Sequence, residues 1–388
     1  MTGSKRHICV VTGGRAEYGL LRWLIKDMRE DPELRCSVIA TGAHLVPEAG
    51  LTYREIEADG ITVDLKVEIQ LASDTHAGMA KSTGLAVLSF TDALMALKPD
   101  IVVVLGDRYE ICAVALAAFL LDIPVAHLYG GEKTEGAMDD ALRHAITKFS
   151  RFHFTASEPY CRRVIQLGEA PETVFNVGAP GLDNLHRLPL LDRAETLARL
   201  GLQPDSRFVL VTYHPVTAGE GESQAGMAAL LEALDELEGL DIVMTRPNLD
   251  AGARALSAMA DDFAARHTGR VVLATSLGQV LYLSAMRACE AVIGNSSSGI
   301  VEAPALQKPT VDIGTRQKGR LKATSIIECN PTKPEIATAI ARALSPEFRA
   351  GLADVELLYG DLDASRTIHR ILKSVPIETG RAKVFHDL

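Results

Sequence analysis

The 388-residue sequence has no CxxC pair and no HExxH. Its six cysteines (Cys9, Cys36, Cys112, Cys161, Cys289 and Cys329) sit mostly in apolar runs, which reads as reduced core thiols rather than structural zinc ligands. The 11 histidines are scattered, so no metal site is expected. No stretch approaches the roughly 18 consecutive apolar residues of a membrane span. Residues 1–12 lack the long apolar core of a signal peptide and run straight into a strand. The expected setting is cytoplasmic, with no membrane partner. Basic residues are outnumbered 40 to 50, a net charge of −10, which argues against nucleic acid as a partner and leaves room for a local basic pocket. Two nucleotide signatures are missing too. GGRAEYG (13–19) is not GxGxxG, and the serine loop near 296 lacks the Lys-Ser/Thr of a P-loop. No cofactor is expected.

What is present is regular alternation. Short, nearly continuous apolar runs predict buried parallel strands at Ile8–Thr12, Cys36–Thr41, Ile101–Leu105, Pro124–His127, Phe152–Thr155 and Val174–Val177. After a turn cluster at Gly178–Gly181 the style repeats, with strands at Phe208–Thr212, Ile242–Thr245, Val271–Ala274, Ala291–Ile293 and Thr310–Ile313. Helical stripes lie between them (Met227, Leu230, Leu231, Leu234, Leu237; Leu256, Met259, Phe263) and read as ordinary core. The chain is too long for one ordinary core. The expected class is α/β, two Rossmann-like doubly wound domains facing a central cleft. The domains are 1–186 and 187–366, followed by a C-terminal tail, 367–388, in which Arg381–Leu388 is expected to be loosely held; Leu357–Leu372 reads as helical. No internal repeat is strong enough to make the halves duplicates.

The loops at strand ends carry the chemistry. Ala291–Arg320 reads as strand, small-residue turn and helix start, a place for an anion at Ser296, Ser297, Ser298 and Gly299. Glu302 is placed in the first helical turn, within reach of a ribose hydroxyl, and Arg316 and Arg320 add positive charge. A capped helix without ligand gives the same pattern. In the first half, Arg15 follows one strand and Asp107-Arg108 another. Glu132 and then Asp139, Asp140, Arg143 and His144 come next. Paired carboxylates in a partly closed site can hold different protonation states, one removing a proton while another donates one; Asp139 and Asp140 also suit a helix cap. His214 and Asn248 follow strands of the second half.

Seven ordered motifs then point one way: GGRAEYG, TGAHL (41–45, with His44), KPDIVVVLGDRYE (98–110), GGEKTEGAMDDALRHAITK (130–148), HPVT (214–217), RPNLDAG (246–252) and GNSSSGIVEAP with GTRQKGR. Together they resemble the UDP-N-acetylglucosamine 2-epimerase family, most of all its hydrolysing branch, which supplies N-acetylmannosamine or related sugars for sialic and legionaminic acids. The resemblance runs from about residue 8 to about 365. It implies a fold like that of GT-B glycosyltransferases, with the nucleotide mainly on the C-terminal half and a homodimer or homotetramer as the assembly. By the same resemblance Ser296 and Ser297 hold the diphosphate, Glu302 the ribose, and His214, Asn248 and Arg15 the phosphates, while Asp107 and Asp139 match carboxylates of the family's chemistry. One position departs: Tyr129 stands where some members have a catalytic glutamate and others a histidine, which makes Glu132 the candidate for the missing carboxylate. The expected activity is conversion of UDP-N-acetylglucosamine to N-acetylmannosamine and UDP. The same reaction on a UDP- or GDP-2,4-diacetamido-2,4,6-trideoxyglucose, a glycosyltransferase and a non-catalytic nucleotide-sugar sensor are the alternatives.

Overall fold

The computed structural model describes residues 5–71, 75–134, 138–216, 221–247, 253–360, 362–377 and 383–388. The chain divides into two compact units. The first runs to Asp183 and resumes at Tyr359, and the second takes Asn184–Leu358. No helix among the described residues is long and apolar enough to cross a membrane.

The first unit holds a seven-stranded parallel sheet: β1 (Arg6–Thr12), β2 (Leu34–Thr41), β3 (Leu65–Val67), β4 (Ile101–Leu105), β5 (Val125–Leu128), β6 (Phe152–Thr155) and β7 (Val174–Asn176), in the order β3-β2-β1-β4-β5-β6-β7. β1 pairs with β2 through Ile8↔Cys36 and with β4 through Ile8↔Ile101. Val10 and Val103 face one apolar layer while Cys9 and Val102 face the other, so the strand is covered on both sides. This is why its sequence is apolar without alternation. Burial of each such side chain contributes about 1.5–3 kcal/mol.

The second unit repeats the order. β8 (Phe208–Thr212), β9 (Asp241–Thr245), β10 (Val271–Ala274), β11 (Val292–Gly294), β12 (Thr310–Ile313) and β13 (Ile326–Cys329) run β10-β9-β8-β11-β12-β13, again all parallel. In both sheets the order reverses beside the first strand, between β1 and β4 and between β8 and β11. Loops at such a reversal diverge at the carboxyl ends and leave a crevice for ligand.

Several expectations need correction. β3 and β13 lie outside the predicted strands. The first helix starts at Arg15 rather than near Tyr18, and the last helix is Ala364–Ser374 rather than Leu357–Leu372. Nor are the described residues of the C-terminal stretch loose. Asp183 accepts from the Ala364 and Ser365 amides at 3.0 and 2.8 Å, and Ile368 and Leu372 enter the core of the first unit. Further on, the Lys383 ammonium donates to the carbonyls of Thr147, Lys148 and Ser150, and the His386 amide donates to Gly168.

Candidate active site

In the first unit the loops after β1 and β4 meet at Gly13. Its amide donates to Glu17 Oε2 at 2.6 Å, and a Cβ on this residue would stand 3.1 Å from Glu110 Oε1 and 3.4 Å from Glu17 Oε2. Two carboxyl groups thus flank one glycine. Glu110 is 1% exposed; its Oε1 accepts from Arg108 Nε at 2.6 Å, and its Oε2 is buried with no hydrogen-bond partner among the described residues. Burial, and then the charge of Glu110, push Glu17 up to about 8 against the Gly13 amide and Arg108. One acid of the pair therefore keeps a proton at neutral pH.

That pair has a thermodynamic consequence. From about 4.5 in the unfolded chain to about 8 in the native one, Glu17 holds more proton when folded. Its contribution to stability is therefore complete below about pH 4.5 and lost as pH rises towards 8, at a slope of at most about 1.4 kcal/mol per pH unit. Glu17→Gln, which keeps an acceptor for Gly13, is expected to flatten that slope and to be the more stable form at pH 8. Urea unfolding between pH 5 and 8.5 reads this directly, and parallel curves for the two proteins would contradict it.

Asp107 lies just beyond β4 and is ion-paired with the buried guanidinium of Arg143. Arg143 belongs to the helix Met138–Phe149, whose first turn carries Asp139 and Asp140. Burial, followed by the negative charge of Asp107, raises the Asp139 carboxyl, with Arg108 and Arg143 opposing. Asp107, Asp139, Arg108 and Arg143 therefore act on one another. Asp140 instead faces His144 Nε2 at 3.6 Å along the helix, and burial lowers the His144 pKa against that charge. Glu132 is 2% exposed in the loop after β5. Underneath, the buried His127 donates from Nε2 to the Gly106 carbonyl at 2.8 Å and takes Thr147 Oγ1 at Nδ1, tying the ends of β4 and β5 together. Arg15 is exposed at the start of its helix.

His44 differs from the expectation that it binds substrate. It is wholly buried, with Nε2 3.1 Å from Thr12 Oγ1 and Nδ1 2.8 Å from Thr52 Oγ1, and burial lowers it to about 4. A neutral ring with both nitrogens engaged supports the Gly13 loop rather than offering a contact to ligand.

In the second unit β11 ends at Gly294, whose φ of +139° and approach to the Thr212 carbonyl leave no room for a Cβ. Asn295, fully buried, accepts from the His214 amide at 2.7 Å and donates to its carbonyl at 2.9 Å. This two-point clamp joins the loops after β8 and β11. Ser296, Ser297 and Ser298 are partly accessible, with Ser298 Oγ held by Ser296 Oγ at 2.9 Å and by the Tyr282 hydroxyl at 2.7 Å. The helix Ser298–Ala305 begins tightly: the Gly299 and Ile300 amides already donate to the Ser296 and Ser297 carbonyls. Fewer backbone donors are free there than the sequence suggests, and the hydroxyls carry more of any anion contact. Gly299 is buried against Thr310 and serves packing. Glu302 sits one turn in rather than in the first turn, and burial raises it to about 7 despite the charge of Arg320. Arg316 and the buried Gln317 both donate to the Asn295 carbonyl, bringing a cation to the serine loop. Asn248 lies outside the described residues.

Sequence reasoning passed over Glu17, Glu110, Asn295, Tyr282 and Gln317 as site residues. Glu17 and Glu110 lie 93 positions apart and meet only because β4 pairs with β1; their one signal was membership of the quoted motifs GGRAEYG and GDRYE.

A family profile described as UDP-N-acetylglucosamine 2-epimerase matches residues 26–373. A Campylobacter jejuni GDP/UDP-N,N'-diacetylbacillosamine 2-epimerase (hydrolyzing) is 39% identical over 99% of this chain and 100% of its own. A Legionella pneumophila UDP-N,N'-diacetylbacillosamine 2-epimerase (hydrolyzing) is 34% identical over 96% and 97%. Among solved structures, UDP-GlcNAc 2-epimerase from Neisseria meningitidis bound to UDP-GlcNAc superposes with a TM-score of 0.80 over 94% of this chain and 99% of that one, at 20% identity. The chain therefore belongs to the UDP-N-acetylglucosamine 2-epimerase family, as an epimerase of its hydrolysing, nucleotide-sugar branch.

Proposed function

We propose that this enzyme takes a nucleoside-diphosphate 2,4-diacetamido-2,4,6-trideoxyglucose, releasing the nucleoside diphosphate and the free 2-epimeric, manno-configured sugar. The observation that carries the choice of sugar is that two hydrolysing relatives, 39% and 34% identical over nearly their whole lengths, are both named for diacetylbacillosamine. UDP-N-acetylglucosamine is the second reading. It is favoured by the description of the matching family and by a Neisseria meningitidis serogroup B relative named for that substrate at 30% identity.

The chemistry follows from the substrate. The hydrogen on C2 is a weak acid, because no carbonyl activates it directly. It leaves as a proton only if the C1–O bond breaks with it, the electron pair of C2–H forming the C1=C2 double bond and the nucleoside diphosphate departing. The serine hydroxyls and Arg316 suit the negative charge that grows on the leaving group, and losing one such donor costs about 3–4 kcal/mol of barrier, a hundredfold or more in rate. Water then adds at C1 of the unsaturated 2-acetamidoglycal, and a proton returns to C2 from the opposite face. In this reading Asp107, Glu132 and Asp139 share the acid and base roles. Asp139, whose carboxyl pKa is raised by burial and by the charge of Asp107, takes the proton donor's part in this reading. Arg15 and His214 contact phosphate, and Glu302 the ribose.

A panel of UDP and GDP sugars with and without the 4-acetamido group, read as nucleotide released, tests the choice. The highest kcat/KM is expected for a 4-acetamido-6-deoxy substrate. A clear preference for UDP-N-acetylglucosamine would replace this reading with the second one.

A further inference from the structure

A pocket of about 310 Å³ lies in the second unit, lined by Arg193, Arg287, Lys308 and Arg349 together with Glu290 and Ser284. Glu290 and Lys308 each lie two residues before a strand, β11 and β12, so the pocket lies at the amino ends of strands whose carboxyl ends lead into the serine loop and Arg316. Its cations come from four separate places: the start of the helix Arg193–Leu200, the last turn of the helix Gly278–Ala288, the loop before β12, and the helix Pro346–Ala350.

Part of this charge has a local use. Arg193 donates to the Ala288 and Ser206 carbonyls at 2.8 and 2.6 Å, Arg287 to the Leu191 carbonyl at 2.7 Å, and Lys308 to the Cys289 carbonyl at 3.0 Å. Ala288 and Cys289 end the helix Gly278–Ala288, whose C-terminal dipole carries about half a negative charge. Glu290 adds one full charge, but Arg207 at 3.2 Å and Arg349 at 2.5 Å divide it between them. Burial of the Glu290 carboxyl raises its pKa, and the two arginines outweigh that, so it stays ionised. Five cations, Arg207 included, face Glu290 and one dipole end. About three positive charges remain unbalanced, in a chain whose net charge is −10. Carbonyl partners satisfy hydrogen bonds without cancelling charge. Burial lowers the Lys308 pKa, opposed by Cys289 and Glu290 and helped by the charges of Arg349 and Arg193. The volume is at the lower end of the roughly 300–1,000 Å³ of small-molecule sites.

We infer that this pocket binds a compact, multiply charged oxyanion, separately from the nucleotide sugar. Guanidinium forks suit both phosphate and carboxylate oxygens, so the ligand is either a small phosphorylated molecule or a small polycarboxylate. The test uses the full chain saturated with UDP, whose binding is first measured on its own, so that the serine loop is already filled. Inorganic phosphate and citrate are titrated separately at constant ionic strength by calorimetry. Saturable binding of one anion per chain is expected, phosphate the tighter for a phosphorylated ligand and citrate for a polycarboxylate. Arg349→Gln combined with Lys308→Met is expected to weaken it about tenfold or more, since two charge-assisted contacts are lost, with UDP affinity unchanged. If that pair fails to fold, Arg287→Gln, an exposed position, is judged by the same loss. Absence of saturable binding to the UDP-filled wild-type protein, or binding that survives the substitutions, would overturn the inference.

Discussion

Asp107→Asn is expected to lower kcat by about 10²–10⁴-fold, the range for losing a positioned general acid or base, while UDP binding stays at the wild-type level. Asparagine keeps the shape and one acceptor oxygen but cannot exchange a proton at neutral pH. Asp107 is also the ion-pair partner of the buried Arg143, so some stability is lost as well. The two effects separate cleanly, because turnover is measured on folded enzyme well below its unfolding temperature and UDP affinity is read on the same protein. Retention of most of kcat would reduce Asp107 to a counter-ion.

Glu132→Gln is expected to cost a similar factor, for a reason that begins at Tyr129. By the family resemblance, this tyrosine corresponds to the place where some members have a catalytic glutamate. Its φ of +64° is uncommon for a residue with a side chain, and the conformation is held by its amide donating to the Phe154 carbonyl at 3.0 Å. A phenol with an ordinary pKa of about 10 is a poor substitute for a carboxylate base at neutral pH. Glu132, buried three residues further on, is the described acid of that loop and the one proposed for the role. Glutamine is nearly isosteric, so the fold is expected to survive and the loss to appear in kcat rather than KM. Full activity of the variant, measured as nucleotide release, would remove Glu132 from the chemistry.

The sequence shows the strands of both sheets well where both faces are covered, because burial on two sides writes a continuous apolar run. It fails at one edge of each sheet, β3 and β13, while the opposite edges, β7 and β10, are predicted. β3 has three residues with Lys66 at its centre, and β13 carries Glu328, since an edge strand needs only one apolar face and leaves no run to detect. The same logic divides the site. Asp107 and the serine loop were visible because each follows a strong strand. The Glu17–Glu110 pair and the Asn295–His214 clamp arise from strand neighbours distant in sequence, β1 with β4 and β8 with β11, and no local pattern encodes them. His44 misled for the opposite reason: a histidine in a loop after a strand looks available until the hydroxyls of Thr12 and Thr52 close on it.

The central claim is that a carbon-bound hydrogen at C2 is exchanged with solvent while the nucleoside diphosphate departs. Turnover of the preferred nucleotide sugar in heavy water, followed by NMR of the free sugar, tests it most directly. The account predicts a manno-configured product with deuterium at C2; a product that keeps its original hydrogen there would contradict it.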